Sequence, residues 1–275
     1  MRNRLMGVLI AASLALVIAW AAAADPAPAV PAPAVPPASA PAAKPSADGN
    51  LLWSDEFDGS ALDLTKWDYR QLGRRRDGFN VKEAVTLDGQ GHLLITTRKV
   101  GDQYHAGMIA THRTFQRTFG YYECRVKFQT QPGHWSAFWL QTPTIGKPVG
   151  DPATAGTEID IYEYLVGRPG KIQHTLHWDG YDKATHKTAS KVHEQADLPT
   201  GWHTVGLEWT EKEYVFYVDG KETWRTDQAV SRRPQYIILC TELGGWSGDP
   251  ATAKLPDSVT FDYVRVYKNR PAAKP

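Results

Sequence analysis

From Asn50 onward, apolar and polar residues alternate in short runs separated by Gly, Pro, Asn and Asp, the punctuation of an all-β domain. No amphipathic helix of useful length interrupts the pattern. The spacing predicts strands over residues 93–98, 121–128, 136–141, 158–164, 172–178, 204–209, 214–218, 236–241 and 259–267. Asp219-Gly220, set between the apolar run 214–218 and Lys221-Glu-Thr-Trp224, reads as a two-residue hairpin turn because both positions tolerate a positive φ. Nine or more strands in one unit of about 220 residues bury their apolar sides only if two sheets pack face to face.

The pattern before Asn50 is different in kind. Met1-Arg-Asn-Arg4 leads into an uncharged run, residues 5–24, rich in Leu, Val, Ile and Ala, which reads as a secretory signal with Ala22-x-Ala24 as the cleavage site. The run is about 20 residues, long enough to span a bilayer if retained, so export after cleavage and a membrane tether are the two outcomes. Residues 25–48 are almost wholly Ala and Pro and form an extended spacer with nothing to bury. The expected organisation is a signal over 1–24, a linker over 25–48, one folded domain over 49–268 and a tail over 269–275.

The run Gly156-Thr-Glu-Ile-Asp-Ile-Tyr-Glu-Tyr164 is the chemically dense part of the chain. It holds Glu158, Asp160 and Glu163, with nothing basic between Gly156 and Gly167. In a strand, side chains alternate faces, so Glu158 and Asp160 share one. Glu163 has the wrong parity and would join Ile159, Ile161 and Leu165 on the apolar side, where an unpaired carboxylate is costly. One extra residue near Ile161-Tyr162, a β-bulge, restores the parity and turns all three acids to the same face. Grouped carboxylates shift one another's proton affinity, which separates a proton donor from an ionised partner. Retaining glycosidases need two carboxyl groups roughly 5 to 5.5 Å apart, and two long Glu side chains can close most of the ~13 Å between these Cα atoms. A solvated edge strand with scattered acids is the competing reading.

Composition narrows the partners. The 275 residues are 42% hydrophobic with a formal net charge of +1, so there is no electrostatic case for nucleic acid, and no obligate protein partner is implied. Ten Trp and twelve Tyr suit both a sandwich core and the flat faces of sugar rings. Trp135 and Trp139 lie four apart on one predicted strand, hence on one face, as a pair of stacking platforms would; the core competes for both. Cys124 and Cys240 are too few for a disulfide scaffold or a metal cluster, and either pair on export or stay as buried thiols.

Glu158-x-Asp160-x-x-Glu163 resembles the catalytic signature of glycoside hydrolase family 16 in its bulged, laminarinase-like form. Other landmarks of that family follow in its order: Trp53-Ser-Asp-Glu-Phe-Asp58, Gly120-Tyr-Tyr-Glu-Cys-Arg125, Trp135-Ser-Ala-Phe-Trp139, Trp202-His-Thr-Val-Gly-Leu-Glu-Trp209, Tyr217-Val-Asp-Gly220 and Phe261-Asp-Tyr-Val-Arg-Val-Tyr267. The resemblance covers roughly residues 50 to 268. It implies a jelly-roll, concanavalin A-like sandwich with one concave sheet forming the cleft. It implies Glu158 as nucleophile, Glu163 as acid/base and Asp160 hydrogen-bonded to Glu158, with no cofactor for catalysis.

The resemblance places Trp135 and Trp139 along the cleft and a histidine beside the acids, for which His177 is the candidate and His174 its parity competitor. Trp246, in a Gly-rich loop, is a candidate for closing one end. Asp262 in the last strand is a candidate ligand, with main-chain oxygens near Glu56, for a structural calcium ion; a hydrogen bond to the first strand is the alternative. Ser136 and Tyr162 stand where many relatives have Pro and Met, which leaves the acids untouched and the choice of polysaccharide open. The implied activity is endo-acting hydrolysis of a β-1,3- or mixed β-1,3/1,4-glucan. An agar- or carrageenan-type galactan hydrolase, a transglycosylase using the same acids, and a non-catalytic carbohydrate-binding sandwich are the alternatives.

Overall fold

The computed structural model describes residues 50–272, so the signal and linker expected over 1–48 lie outside the described residues. Among the described residues no helix is long and apolar enough to cross a membrane. In chain order the strands are β1 (Leu51–Asp55), β2 (Asp68–Tyr69), β3 (Gly73–Arg75), β4 (Gly78–Asn80), β5 (Val85–Leu87), β6 (Leu93–Val100), β7 (Gln103–Ala106), β8 (Met108–Ala110) and β9 (Gly120–Lys127). They continue with β10 (His134–Gln141), β11 (Glu158–Leu165), β12 (Lys171–Trp178), β13 (Lys187–Glu194), β14 (His203–Trp209), β15 (Tyr214–Val218), β16 (Lys221–Thr226), β17 (Tyr236–Leu243) and β18 (Asp257–Tyr267). All nine predicted strands are present, with ends shifted by up to two residues. Among the described residues the one α-helix is a single turn, α1 (Pro152–Ala155), capped by Asp151, whose carboxylate accepts the Thr154 N–H.

These strands build the two sheets of a jelly-roll sandwich. One runs β16-β15-β14-β9-β18-β6-β7-β4-β3, with β1 also on β18 and β5 on β6; the other runs β13-β12-β11-β10-β17-β8-β2. The second sheet is antiparallel throughout. Phe138, Ile159, Leu176 and Leu239 from it meet Tyr122, Val126, Leu207 and Phe261 from the first in one buried cluster. All eight residues of β10 are buried, because one face meets this core and the other forms the floor of a cleft.

The expected bulge lies in β11. Phe138 pairs with Tyr162 and Trp139 with Asp160, so Ile161 is the extra residue; across the other edge, Asp160 pairs with Thr175 and Glu163 with Gln173. Ile159, Ile161, Tyr162 and Tyr164 all join the core cluster, and Glu163 is released to the other face. Gly156 sets the strand's entry: its φ is 95°, and a Cβ there would stand 2.1 Å from the Thr142 methyl.

The Asp219-Gly220 hairpin has φ of 48° and 75°, as a type I′ turn requires. Its carboxylate has a second task, since Asp219 accepts from the Thr204 N–H at 2.8 Å, Gln195 Nε2 at 2.7 Å and His203 Nδ1 at 2.8 Å. His203 Nε2 faces the carbonyls of Asp197 and Thr200, which only accept, so both ring nitrogens carry protons. Burial opposes that charge, but the Asp219 hydrogen bond and charge outweigh it and raise the His203 pKa; the same bonds overcome burial to lower that of Asp219. The pair therefore contributes fully between the unfolded Asp value of about 3.9 and the unfolded His value of about 6.5; the Asp219 part is lost as pH falls through its depressed folded value and the His203 part as pH rises through its raised one. Asp219→Asn, which keeps the turn, should lower the melting temperature more at pH ~5.5 than at pH ~9. An equal loss at both would remove the ion pair from the explanation.

Candidate active site

Glu158, Asp160 and Glu163 line a cleft of about 390 Å³ on the outer face of β10, β11, β12 and β17. Asp160 is buried, and burial, then the charges of Glu158 and Glu242, push its pKa well above the carboxylate range. Glu163 is raised the same way by burial, then Asp160, with His177 opposing and Glu158 and Glu242 adding. Thr175 Oγ1 lies 3.4 Å from Glu163 Oε2. Glu158 is the acid at which donors are aimed: Gln141 Nε2 donates to its Oε2 at 2.7 Å and the Tyr181 hydroxyl donates to the same oxygen. The strand thus separates an acid that holds its proton from one solvated by fixed donors, the division that general acid and nucleophile require.

His177 stands directly across from Glu158 in the β11–β12 ladder, with Nε2 3.4 Å from Asp160 Oδ2. Its Nδ1 meets His186 Nε2 at 2.9 Å, and the two rings stack. The parity competitor, His174, faces the core instead. Burial pushes its pKa down to about 4, so the ring is neutral. Its Nδ1–H donates to the carbonyl of the bulge residue Ile161 at 2.6 Å, and Nε2 meets the Thr223 hydroxyl at 2.9 Å.

Trp135 and Trp139 both reach the cleft, but as its floor: they are only 4% and 7% exposed. Trp139 Nε1 points to Cys240 Sγ at 3.4 Å, and Trp135 is covered by the Arg76 guanidinium at 5.4 Å and by the edge of Trp246. Trp246 therefore packs on Trp135 and does not itself line the cavity. Cys124 and Cys240 are both free and buried, and burial pushes both thiols up. Gln141, Tyr181, Arg70 and the Arg75/Arg76 pair on Glu242 line the cleft without having been singled out in the sequence. Gln141 could have been: it lies two residues past Trp139, on the same face.

Asp262 is the bulged residue of β18, away from the cleft. Its Oδ2 accepts from Arg125 Nη1 at 2.5 Å, and Arg265 grips the Glu56 carboxylate at 2.6 and 3.1 Å. With guanidinium groups already on both carboxylates, these side chains do not suit a calcium ion. Addition of EDTA or of millimolar Ca²⁺ should leave the melting temperature unchanged; a rise with calcium would show that the ion displaces Arg125.

The acid assignment has a pH signature. A general acid works only while protonated, so kcat/KM should fall as pH rises through the raised Glu163 pKa, placing this limb above the ordinary Glu value of about 4.3. After burial, the Asp160 charge is the largest influence that raises Glu163, and Asp160→Asn removes it. The alkaline limb of that variant should move to lower pH, measured on the same substrate; an unmoved limb would exclude Asp160 as a determinant.

The family model for glycosyl hydrolases family 16 matches residues 75–265. The sequence is 32% identical over 246 residues to a keratan-sulfate endo-1,4-beta-galactosidase of Sphingobacterium multivorum, covering 81% of this chain and 56% of that protein. It is 26% identical over 268 residues to glucan endo-1,3-beta-glucosidase A1 of Niallia circulans, covering 80% of this chain and 38% of that one. The chain thus spans well under two thirds of the length of either relative. Its fold superposes on the laminarinase catalytic domain from Thermotoga maritima MSB8 with a TM-score of 0.69 at 27% identity, over 80% of this chain and 98% of that one. The family match takes in strands of both sheets and runs through all three acids of the cleft: the chain belongs to family 16 of the glycosyl hydrolases.

Proposed function

We propose that this chain is an exported, endo-acting β-glycoside hydrolase that cuts a β-1,3- or mixed β-1,3/1,4-glucan with retention of configuration. The observation that carries the reading is the bulge, which turns Glu158 and Glu163 into one cleft, where burial raises the Glu163 pKa and two fixed donors meet Glu158. In the first step Glu158 attacks the anomeric carbon while Glu163 passes its proton to the departing glycosidic oxygen, leaving a covalent glycosyl ester. In the second, Glu163, now a carboxylate, takes a proton from water as that water displaces Glu158. Export is supported by the Arg-flanked apolar start of the sequence.

Arg70, Arg75 and Arg76 in the cleft lining favour a second reading, in which the substrate is a galactan carrying anionic groups. The Sphingobacterium relative is described as acting on keratan sulfate. Reducing-end release from a panel of neutral glucans and charged galactans separates the two substrates.

The roles are tested with azide and an activated aryl glycoside. Either Glu158→Ala or Glu163→Ala should slow polysaccharide turnover by orders of magnitude, each tenfold being about 1.36 kcal/mol of transition-state stabilisation. With Glu163→Ala, azide should intercept the covalent ester and give the β-glycosyl azide. With Glu158→Ala, azide should attack directly and give the α product. Inversion by the wild type, or full activity of Glu158→Ala, would overturn the assignment.

A further inference from the structure

Two donors converge on one oxygen of Glu158, and the group that holds them is unusually well determined. The Gln141 amide nitrogen has two protons, and it lies 2.7 Å from Glu158 Oε2 and 2.6 Å from the Tyr181 hydroxyl oxygen. The single Tyr181 hydroxyl proton then goes to Oε2 as well. At the other end of the same amide, Gln141 Oε1 accepts from Tyr236 at 2.7 Å and from Arg70 Nη2 at 2.8 Å. A guanidinium only donates, so Arg70 fixes which end of the amide is oxygen and forces the NH₂ toward Glu158. Among the described residues no carboxylate pairs with Arg70, and its charge reaches the site through Gln141.

Tyr181 is delivered by a pinned turn. Asp179 is buried at φ 62° and accepts the Gly150 N–H at 2.7 Å, with the Lys187 ammonium 2.9 Å away. The next residue, Gly180, packs against Gly146, where a Cβ would clash at 2.5 Å. Yet the Tyr181 ring itself is 56% exposed, so its orientation toward Glu158 is not a by-product of core packing.

We infer that Tyr181 and Gln141 are positioning residues that reserve Oε2 of Glu158 as the held oxygen and leave Oε1 to attack, and that they act chiefly on breakdown of the glycosyl-enzyme. This rests on the proposed role of Glu158 as nucleophile. When Oε1 bonds to the anomeric carbon and the glycosidic C–O bond breaks, the Glu163 proton leaves with the departing sugar. Oε2 becomes the carbonyl oxygen of a neutral ester, a weaker acceptor than a carboxylate oxygen. When water then attacks that carbon and gives its proton to Glu163, the C–Oε1 bond breaks and negative charge returns to the carboxyl group. The donors on Oε2 strengthen as this charge develops, so they stabilise Glu158 as a leaving group.

The test is Tyr181→Phe and, separately, Gln141→Met, assayed with a dinitrophenyl β-glycoside of the oligosaccharide that the wild type releases. Losing one hydrogen bond to a developing charge should lower kcat about tenfold. KM should fall with it, because the ester accumulates, while kcat/KM changes much less. Intact-protein mass spectrometry during turnover should show the glycosylated form in both variants. A rise in KM at unchanged kcat would make Tyr181 a sugar platform and overturn the inference, as would unchanged constants. Glu158→Ala assayed alongside keeps the two levels apart: if it is inactive and the Tyr181 variant shows no split, only this inference falls. If Glu158→Ala is fully active, the nucleophile assignment has failed and this inference fails with it.

Discussion

One inserted residue in β11 decides what the cleft can do, and one hydrogen bond holds it in place. A bulge takes its extra residue out of the ladder, and at Ile161 that happens against the core, where water cannot satisfy the stranded carbonyl. Leaving such a group unpaired costs about 1–3 kcal/mol. His174 removes that cost from the neighbouring strand, donating Nδ1–H to the Ile161 carbonyl. Because burial keeps the ring neutral, its one proton is committed there and Nε2 is left to accept from Thr223. The chain therefore uses two nearby histidines of β12 for opposite tasks: His174 secures the bulge from inside, and His177 faces the acids that the bulge turns outward.

Crowding carboxylates on one face is tolerable only if they are not all charged. Burial and the neighbouring charges raise the pKa of both Asp160 and Glu163, and the fixed donors Gln141 and Tyr181 attend to Glu158. Glu242, the fourth carboxylate in the cleft, is neutralised differently, by Arg75 and Arg76 at 2.6 Å each. Two guanidinium groups on one carboxylate leave that end of the cleft with positive charge to spare. The acid that must give up a proton and the carboxylate that must not take one are thus set by the same short strand, through what lies on either side of it.

The sandwich and the acids were legible in the sequence because both are written in side-chain parity. Nine strands alternate cleanly enough to be read, and the mismatch of Glu163 with Glu158 demands the bulge. Strand β13 escaped because it is an edge: Lys187, Lys191 and Glu194 blunt it, and no apolar face repeats. The short strands β2 to β5 and β7 lack the length to show a period. Trp135 and Trp139 have the right parity, yet alternation says which face a ring is on and nothing about what lies over it, which for Trp135 is Arg76 and Trp246. Asp262 is a related case, since a lone acid in a strand does not announce the arginine beside it.

The division between strand and loop also explains how one sandwich can serve different polysaccharides. The three acids sit on β11, whose position is fixed by pairing on both edges and by a core behind it. The other charged and polar groups that line the cleft come partly from elsewhere: Arg70 and Arg76 from connecting segments, Arg75 from the short β3, Tyr181 from the β12–β13 turn. Such segments can change length and charge without disturbing the register of the acids. A galactosidase and a glucosidase among the relatives are therefore compatible with one catalytic strand, and the substrate must be sought in the cationic and aromatic walls of the cleft, not in its acids. Tyr181 is where the two levels touch, because it is a wall residue whose hydroxyl rests on Glu158. A change in that turn would therefore reach Glu158 as well as the wall, whereas the Arg75/Arg76 end stops at Glu242.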